Sequence, residues 1–160
     1  MVRARAAALV LLDASPFYRF CEARLLPSLA EYLRGSDRIT PEVATELRRG
    51  ARSGRHAGLR NLELAGWPPE TAALPAELQR PFLDYSRAAR QKDEPPSKHA
   101  GEIATVLIAA HLGAAVVVIY DLFGKLLTRD RGVPRLSTAQ LAAETLALNA
   151  LRHAASVPTM

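Results

Sequence analysis

An α/β fold of three layers, with a mostly parallel central sheet flanked by helices, is predicted for this 160-residue chain by three observations. Apolar runs of strand length alternate with longer helical stretches, the pattern that builds strand–helix–strand units. Two of the runs, residues 8–12 and 115–119, are apolar without alternation. Strands of that kind are buried on both faces, so these two belong at the centre of the sheet. The length suits one core, and residues 1–160 read as a single domain. At 49% hydrophobic and 23% charged, the composition excludes a disordered, collagenous or coiled-coil chain.

The elements follow in order. After the first strand, Ser15-Pro16 is a cap and first-turn proline, and residues 17–33 read as helix broken or restarted around Pro27-Ser28. Gly35-Ser36 is a turn and residues 38–40 form a short strand. Thr40 caps a helix that starts at Pro41 and runs through Val43 and Leu47 to Gly50. Residues 51–65 are weakly helical, because Gly54 and Gly58 each cost about 1 kcal/mol relative to alanine. Gly66-Trp67-Pro68-Pro69 is a break with a short strand beside it. An amphipathic helix over residues 76–90 contains Pro81, which favours a start near Arg80. Residues 91–99 are loop, and 101–112 are helix stopped by Gly113. The β-branched strand 115–120 leads to a helix over 122–131, closed by Gly132. Residues 133–136 make a last strand, and Ser137 with Gln140 forms a capping box for the final helix.

Two segments imitate membrane signals. Arg3 and Arg5 precede an apolar stretch that ends at Asp13 with no small-residue cleavage site, so a buried strand explains it better. Residues 103–120 carry no formal charge over 18 positions, but Gly113 divides them into helix and strand. The expectation is a cytoplasmic protein without a membrane partner. A single cysteine, Cys21, excludes an internal disulfide and reads as a small buried apolar residue.

Charge and acids then carry the functional reading. Eleven basic and six acidic residues precede position 61 and ten of each follow, so the net charge of +5 lies wholly in the first 60 residues. A polyanion-binding face has that form. An aspartate follows each central strand, Asp13 and Asp121, and ligands of open α/β sheets bind at those strand ends. Neighbouring carboxylates repel, whereas Mg²⁺ or Mn²⁺ wants several hard oxygen donors. Glu46, on the helix after Thr40, and Glu102, in the first turn of the helix feeding the Asp121 strand, extend the set to four. Four carboxylates around one or two divalent ions suit phosphodiester hydrolysis. Read singly, Asp13 and Asp121 also serve as helix caps, Glu102 as a dipole complement, and Glu46 as a surface partner of Arg48 or Arg49.

Taken in order, Asp13-Ala14-Ser15, Thr40-Pro41-Glu42-Val43 leading to Glu46-Leu47, Gly101-Glu102, and Val118-Ile119-Tyr120-Asp121 followed by Gly124-Lys125 and Gly132 form a pattern. From residue 9 to 136 the chain resembles the PIN domain, the metal-dependent ribonuclease fold of VapC-type toxins and stand-alone prokaryotic relatives. The resemblance implies that Asp13, Glu46, Glu102 and Asp121 hold Mg²⁺ or Mn²⁺, and that Ser15 orients Asp13. It also implies an RNA substrate cut to 5′-phosphate and 3′-hydroxyl ends, a cognate antitoxin and a homodimer. The chain departs from the family at Lys98 and His99, where an aspartate is usual, at Thr105, near a second acid, and at Tyr120, in place of the first of an acidic pair.

Arg48, Arg49, Arg52, Arg55 and Arg60, with His56, form an acid-free segment beginning two residues after Glu46. On a continuous helix Arg49, Arg52, His56 and Arg60 would share one face and lead phosphates towards the acids. A solvated basic helix or an antitoxin-facing surface fits equally. Lys125 reads as a phosphate contact or a surface lysine. His99, His111 and His153 are too scattered for a zinc site or a triad and read as structural, and Trp67 reads as packing under a loop. Two functions follow: a Mg²⁺/Mn²⁺-dependent ribonuclease, or a weakly active or inactive PIN-like module that binds RNA or a protein through the arginine segment. A receiver domain, which needs adjacent acids after the first strand, fits worse.

Overall fold

The structure is a computed structural model and describes residues 8–33, 35–61, 67–95 and 98–156. Four strands pair in parallel throughout: β1 (Val10–Leu12), β2 (Asp37–Arg38), β3 (Val116–Val118) and β4 (Arg135–Leu136). Their order is β2-β1-β3-β4, so β1 and β3 are central, as the unbroken apolar runs predict. Leu11 pairs with Arg38 on one side and with Val117 on the other. The strands are shorter than expected because only these residues complete ladder bonds.

Seven α-helices are described: α1 (Ala14–Glu22), α2 (Leu26–Leu33), α3 (Pro41–Arg52), α4 (Ala76–Ala89), α5 (Ala100–Leu112), α6 (Leu122–Asp130) and α7 (Thr138–Ser156). Side chains of the central strands alternate between two cores, which makes the third layer. Leu12 and Val118 pack with Phe17, Leu29, Val43 and Leu141 under α1, α2, α3 and α7. Leu11, Val117 and Ile119 pack with Ile103, Leu107 and Leu127 under α5 and α6, with α4 outside them. From Ile103 to Ala109 every residue of α5 is buried, so that helix is apolar all round rather than amphipathic.

Local signals in the sequence place most boundaries. Thr40 Oγ1 accepts from Val43 N at 3.3 Å with Pro41 in the first turn. Gly113 ends α5 in the left-handed region at φ +64. Ser137 and Gln140 exchange backbone-to-side-chain bonds of 2.9 and 3.1 Å, the reciprocal box that starts α7.

Several expectations are corrected. The break between α1 and α2 falls at residues 23–25, where Arg24 turns left-handed at φ +57, not at Pro27-Ser28. Proline fits the first turn of α2, where its missing N–H has no partner to lose. Helix α4 starts at Ala76, not near Arg80, so Pro81 sits inside it, five residues past the start. Helix α3 stops at Arg52, and a short 3₁₀ turn, Ala57–Leu59, with helical residues 60–61 follows before residues 62–66, which lie outside the described set. Gly54, at φ +77, supplies the left-handed residue that turns the chain away. Beside the proline break, Ile39 makes one parallel bridge to Glu70. Cys21 is half-buried rather than buried. Asp37 is fully buried in β2, and burial raises its carboxyl, with backbone groups and Trp67 easing it back. No described helix is long and apolar enough to cross a membrane.

Both cores are expected to carry stability. Leu29→Ala in one and Leu127→Ala in the other should each cost about 2–5 kcal/mol, read as a lower urea midpoint at unchanged slope. Leu122→Ala, at a residue 70% exposed, should stay within about 0.5 kcal/mol of the parent.

Candidate metal centre

Strand order reverses between β1 and β3, so their carboxyl ends open a crevice at the middle of the sheet. The chain leaving each of these strands delivers an acid there. Asp13 N donates to Val118 O at 3.0 Å, which carries the ladder one residue past β1 and pins the Asp13 backbone before its side chain diverges. Asp121 lies three residues beyond β3 and caps α6, its Oδ1 accepting from Gly124 N at 2.7 Å. Gly124 allows a close approach here: a Cβ would meet Ile119 Cδ1 at 2.6 Å and Asp121 Oδ1 at 3.1 Å, so the Ile119 side chain would have to shift. Asp13, by contrast, makes no side-chain cap bond to α1. Its Oδ2 accepts instead from Ser15 Oγ at 3.3 Å, the orienting contact expected of Ser15.

Helices α3 and α5 bring the other two. A Cβ at Gly101 would lie 3.3 Å from Glu46 Oε2 and 3.6 Å from Asp13 Oδ1. The bare glycine therefore lets the start of α5 approach α3 and β1 closely enough to gather three acids. Glu102, the next residue, when protonated donates a hydrogen bond to the Asp121 carboxylate and feels the charges of Asp13 and Glu46. Glu46, Glu102 and Asp121 thus line one cleft of about 860 Å³, and buried Asp13 adjoins them behind Gly101. Tyr18, Glu46 and Arg49 form one side of it, and Lys98, His99, Glu102 and Asp121 the other.

Burial sets the electrostatics. Asp13 is 3% exposed, and its carboxyl is pushed up to about 7, chiefly by lost hydration and then by Glu46 and Asp121, against bonds from Ala14 N and Ser15. Glu102 is pushed up to about 10, again first by burial, then by its bond with Asp121 and by the neighbouring charges. Glu46 opens to the cleft, yet the surrounding protein raises its carboxyl while Arg49 pulls it back. Tyr18, whose hydroxyl donates to Glu46 O at 3.2 Å, is pushed up to about 12 by burial and by the Glu46 and Asp13 charges. A divalent cation would remove the repulsion that drives part of these shifts, and hard oxygen donors at this density fit one.

Sequence reasoning missed one participant. His99, expected to be structural, stands at the head of α5 with its Nδ1 2.7 Å from Glu102 Oε2. Together with Glu102 and Asp121 it offers donor atoms that all lie within 4.8 Å of one another. The signal available in the sequence was the three-residue spacing from His99 to Glu102 across a helix start. His111 is exposed and 3.9 Å from Glu77, away from the cleft.

The basic residues are only partly assembled. Because α3 ends at Arg52, Arg49, Arg52, His56 and Arg60 do not share a continuous helical face. Arg48 bonds Glu70 at 2.5 Å, and Arg60 Nε donates to Ala51 O at 3.3 Å. His56 stacks on Tyr18 at 4.6 Å and bonds Glu22 at 3.1 Å. Arg49 lines the cleft, while Arg52 lines a shallow hollow beside it with Thr45 and Arg48. Arg55 is exposed in the turn after α3, and Lys125 is exposed in the first turn of α6 outside the cleft lining. Tyr120 is 53% exposed and stacks under Arg19, whose guanidinium is 5.4 Å from the ring.

The raised carboxyls fix the sign of a pH effect. Folded Asp13 and Glu102 keep protons that the unfolded chain gives up near pH 4, so stability falls as pH rises from about 4 through 7 and on towards 10. Melting in EDTA is expected to drop steadily from pH 5 to pH 8. Asp13→Asn should melt higher than the parent at pH 8 and show a shallower decline, with about 2–4 °C for each kcal/mol. A parent protein whose melting point is flat over that range would contradict the buried, crowded carboxylates. No protein-family model matches the chain, and no curated protein matches it.

Proposed function

We propose that the chain is a metal-dependent endoribonuclease that hydrolyses RNA phosphodiester bonds. The observation that carries this reading is the convergence of Asp13, Glu46, Glu102 and Asp121 at the β1/β3 strand ends beside a cleft walled by Arg49. The four carboxylates would hold the ion, and Mg²⁺ or Mn²⁺ supplies Lewis-acid polarisation of the phosphodiester and of the attacking water. Arg49 would receive a substrate phosphate through its planar fork while moderating the Glu46 charge. Glu46, the acid most open to solvent, is the group placed to take the water's proton. Ser15 holds Asp13 in its orientation, and Tyr18 fixes the α3 backbone at Glu46. By the resemblance to PIN domains, the same reading includes a cognate antitoxin and a homodimer.

The test is single-stranded RNA incubated with the pure protein and Mn²⁺. Cleavage should vanish in EDTA and fall by about 10²–10³-fold in Asp13→Asn, the loss expected when several kcal/mol of charge stabilisation goes. Cleavage that survives both treatments would overturn the metal assignment. Binding without cleavage would leave the inactive RNA-binding module as the better reading. For binding, Arg49→Ala should weaken affinity across unrelated RNA sequences and reduce the log–log salt slope by about one.

A further inference from the structure

The donors at the cleft are not all oxygen. His99 brings an imidazole to the same place as Glu102 and Asp121, with Nδ1 2.7 Å from Glu102 Oε2. Its ring is also packed 4.7 Å from the Phe123 ring, two residues beyond Asp121 on α6, and the residue is largely buried. The backbone of His99 sits at φ +63 and makes no side-chain cap bond to α5, so the imidazole is not occupied in closing that helix. Donor atoms at about 2.1 Å from an octahedral ion lie roughly 3 Å apart when adjacent and roughly 4.2 Å apart when opposite. A set of one nitrogen and two carboxylates held within 4.8 Å needs only a small contraction to meet that geometry. Asp13, with 3% exposure, and Glu46 flank the same set from beneath and across the cleft.

We infer that His99 is a direct nitrogen ligand of the ion and that this makes the site prefer Mn²⁺ or a later first-row divalent metal over Mg²⁺. The inference rests on the metal-site reading above. All-carboxylate sites suit Mg²⁺, which is hard and parts reluctantly with water. Imidazole is a borderline donor, and affinity for it rises along the first transition row from Mn²⁺ onward. A neutral donor also adds a bond without adding a fifth negative charge to a set in which Asp13, Asp121 and Glu46 already act on Glu102. Phe123 acts as a positioning residue, because its ring limits the directions in which the imidazole can point.

The test uses Mn²⁺ itself as the probe. The full chain is loaded with Mn²⁺ and examined by electron spin-echo envelope modulation, which reports a directly bound ¹⁴N. The parent should show nitrogen coupling, and His99→Gln should lose it and bind Mn²⁺ at least about tenfold more weakly. His99→Asp, which restores an oxygen donor, should retain metal binding and shift the Mn²⁺/Mg²⁺ affinity ratio at least about tenfold towards Mg²⁺. Circular dichroism on each variant separates these changes from loss of fold. Mn²⁺ bound without nitrogen coupling would overturn the His99 assignment and leave the carboxylate site standing. Nitrogen-coupled Mn²⁺ without RNA cleavage would uphold His99 and overturn the ribonuclease. Absence of any Mn²⁺ binding by folded protein would overturn both.

Discussion

Parallel pairing of β1 with β3 is the constraint from which the rest of the molecule is built. The strands are three residues each, and the ladder between them runs from Val10 with Val116 to Leu12 with Val118. Asp13 N extends it by one more bond, so the first acid has no freedom to move along the strand axis. Shifting β1 by one residue against β3 would turn Leu11 towards the wrong core and carry Asp13 away from Asp121. Core packing on both sheet faces and the gathering of the acids are therefore one requirement. Burying the ends of two strands also costs hydration at Asp13, and that cost is what raises its carboxyl.

Much of this organisation was legible in the chain because it follows from local chemistry. Unbroken apolar runs marked the central strands, and Thr40-Pro41, Gly113 and the Ser137–Gln140 box marked helix ends through bonds made within four residues. The four acids were legible because each stands at a fixed offset from such a boundary. What escaped was set by contacts distant in sequence or by a backbone inversion. Arg48 meets Glu70 across 22 residues, and nothing near Arg48 announces that partner. The arginine face dissolved because α3 stops at Arg52 and the chain inverts at Gly54, and a helical wheel drawn through that point has no meaning. His99 escaped because its contact with Glu102 depends on the left-handed turn ahead of α5 and on the Phe123 ring from another helix.

The net positive charge of the first 60 residues is consequently less concentrated than its count suggests. Some of it is neutralised locally, as at Arg48 with Glu70 and Arg19 with Glu22. Arg49 is the arginine of the segment that lines the acidic cleft, and it sits one turn from Glu46 on the same helix. The tuning of a carboxylate and, on the proposed reading, the hold on a substrate phosphate thus meet in one side chain. Arg52, in the adjoining hollow, continues that positive strip outward from the cleft.

Three helices begin where the acids converge: α1 directly after Asp13, α5 just before Glu102, and α6 directly after Asp121. Each helix start directs unpaired N–H groups and the positive end of its macrodipole towards that point. The Ala14 N–H that eases Asp13 downward is one such contribution, and the Gly124 N–H bonded to Asp121 is another. The main chain therefore supplies a positive potential that no side-chain substitution can delete. Close-set carboxylates are tolerable in this protein because the fold itself, through the direction in which its helices run, acts as a standing counter-charge.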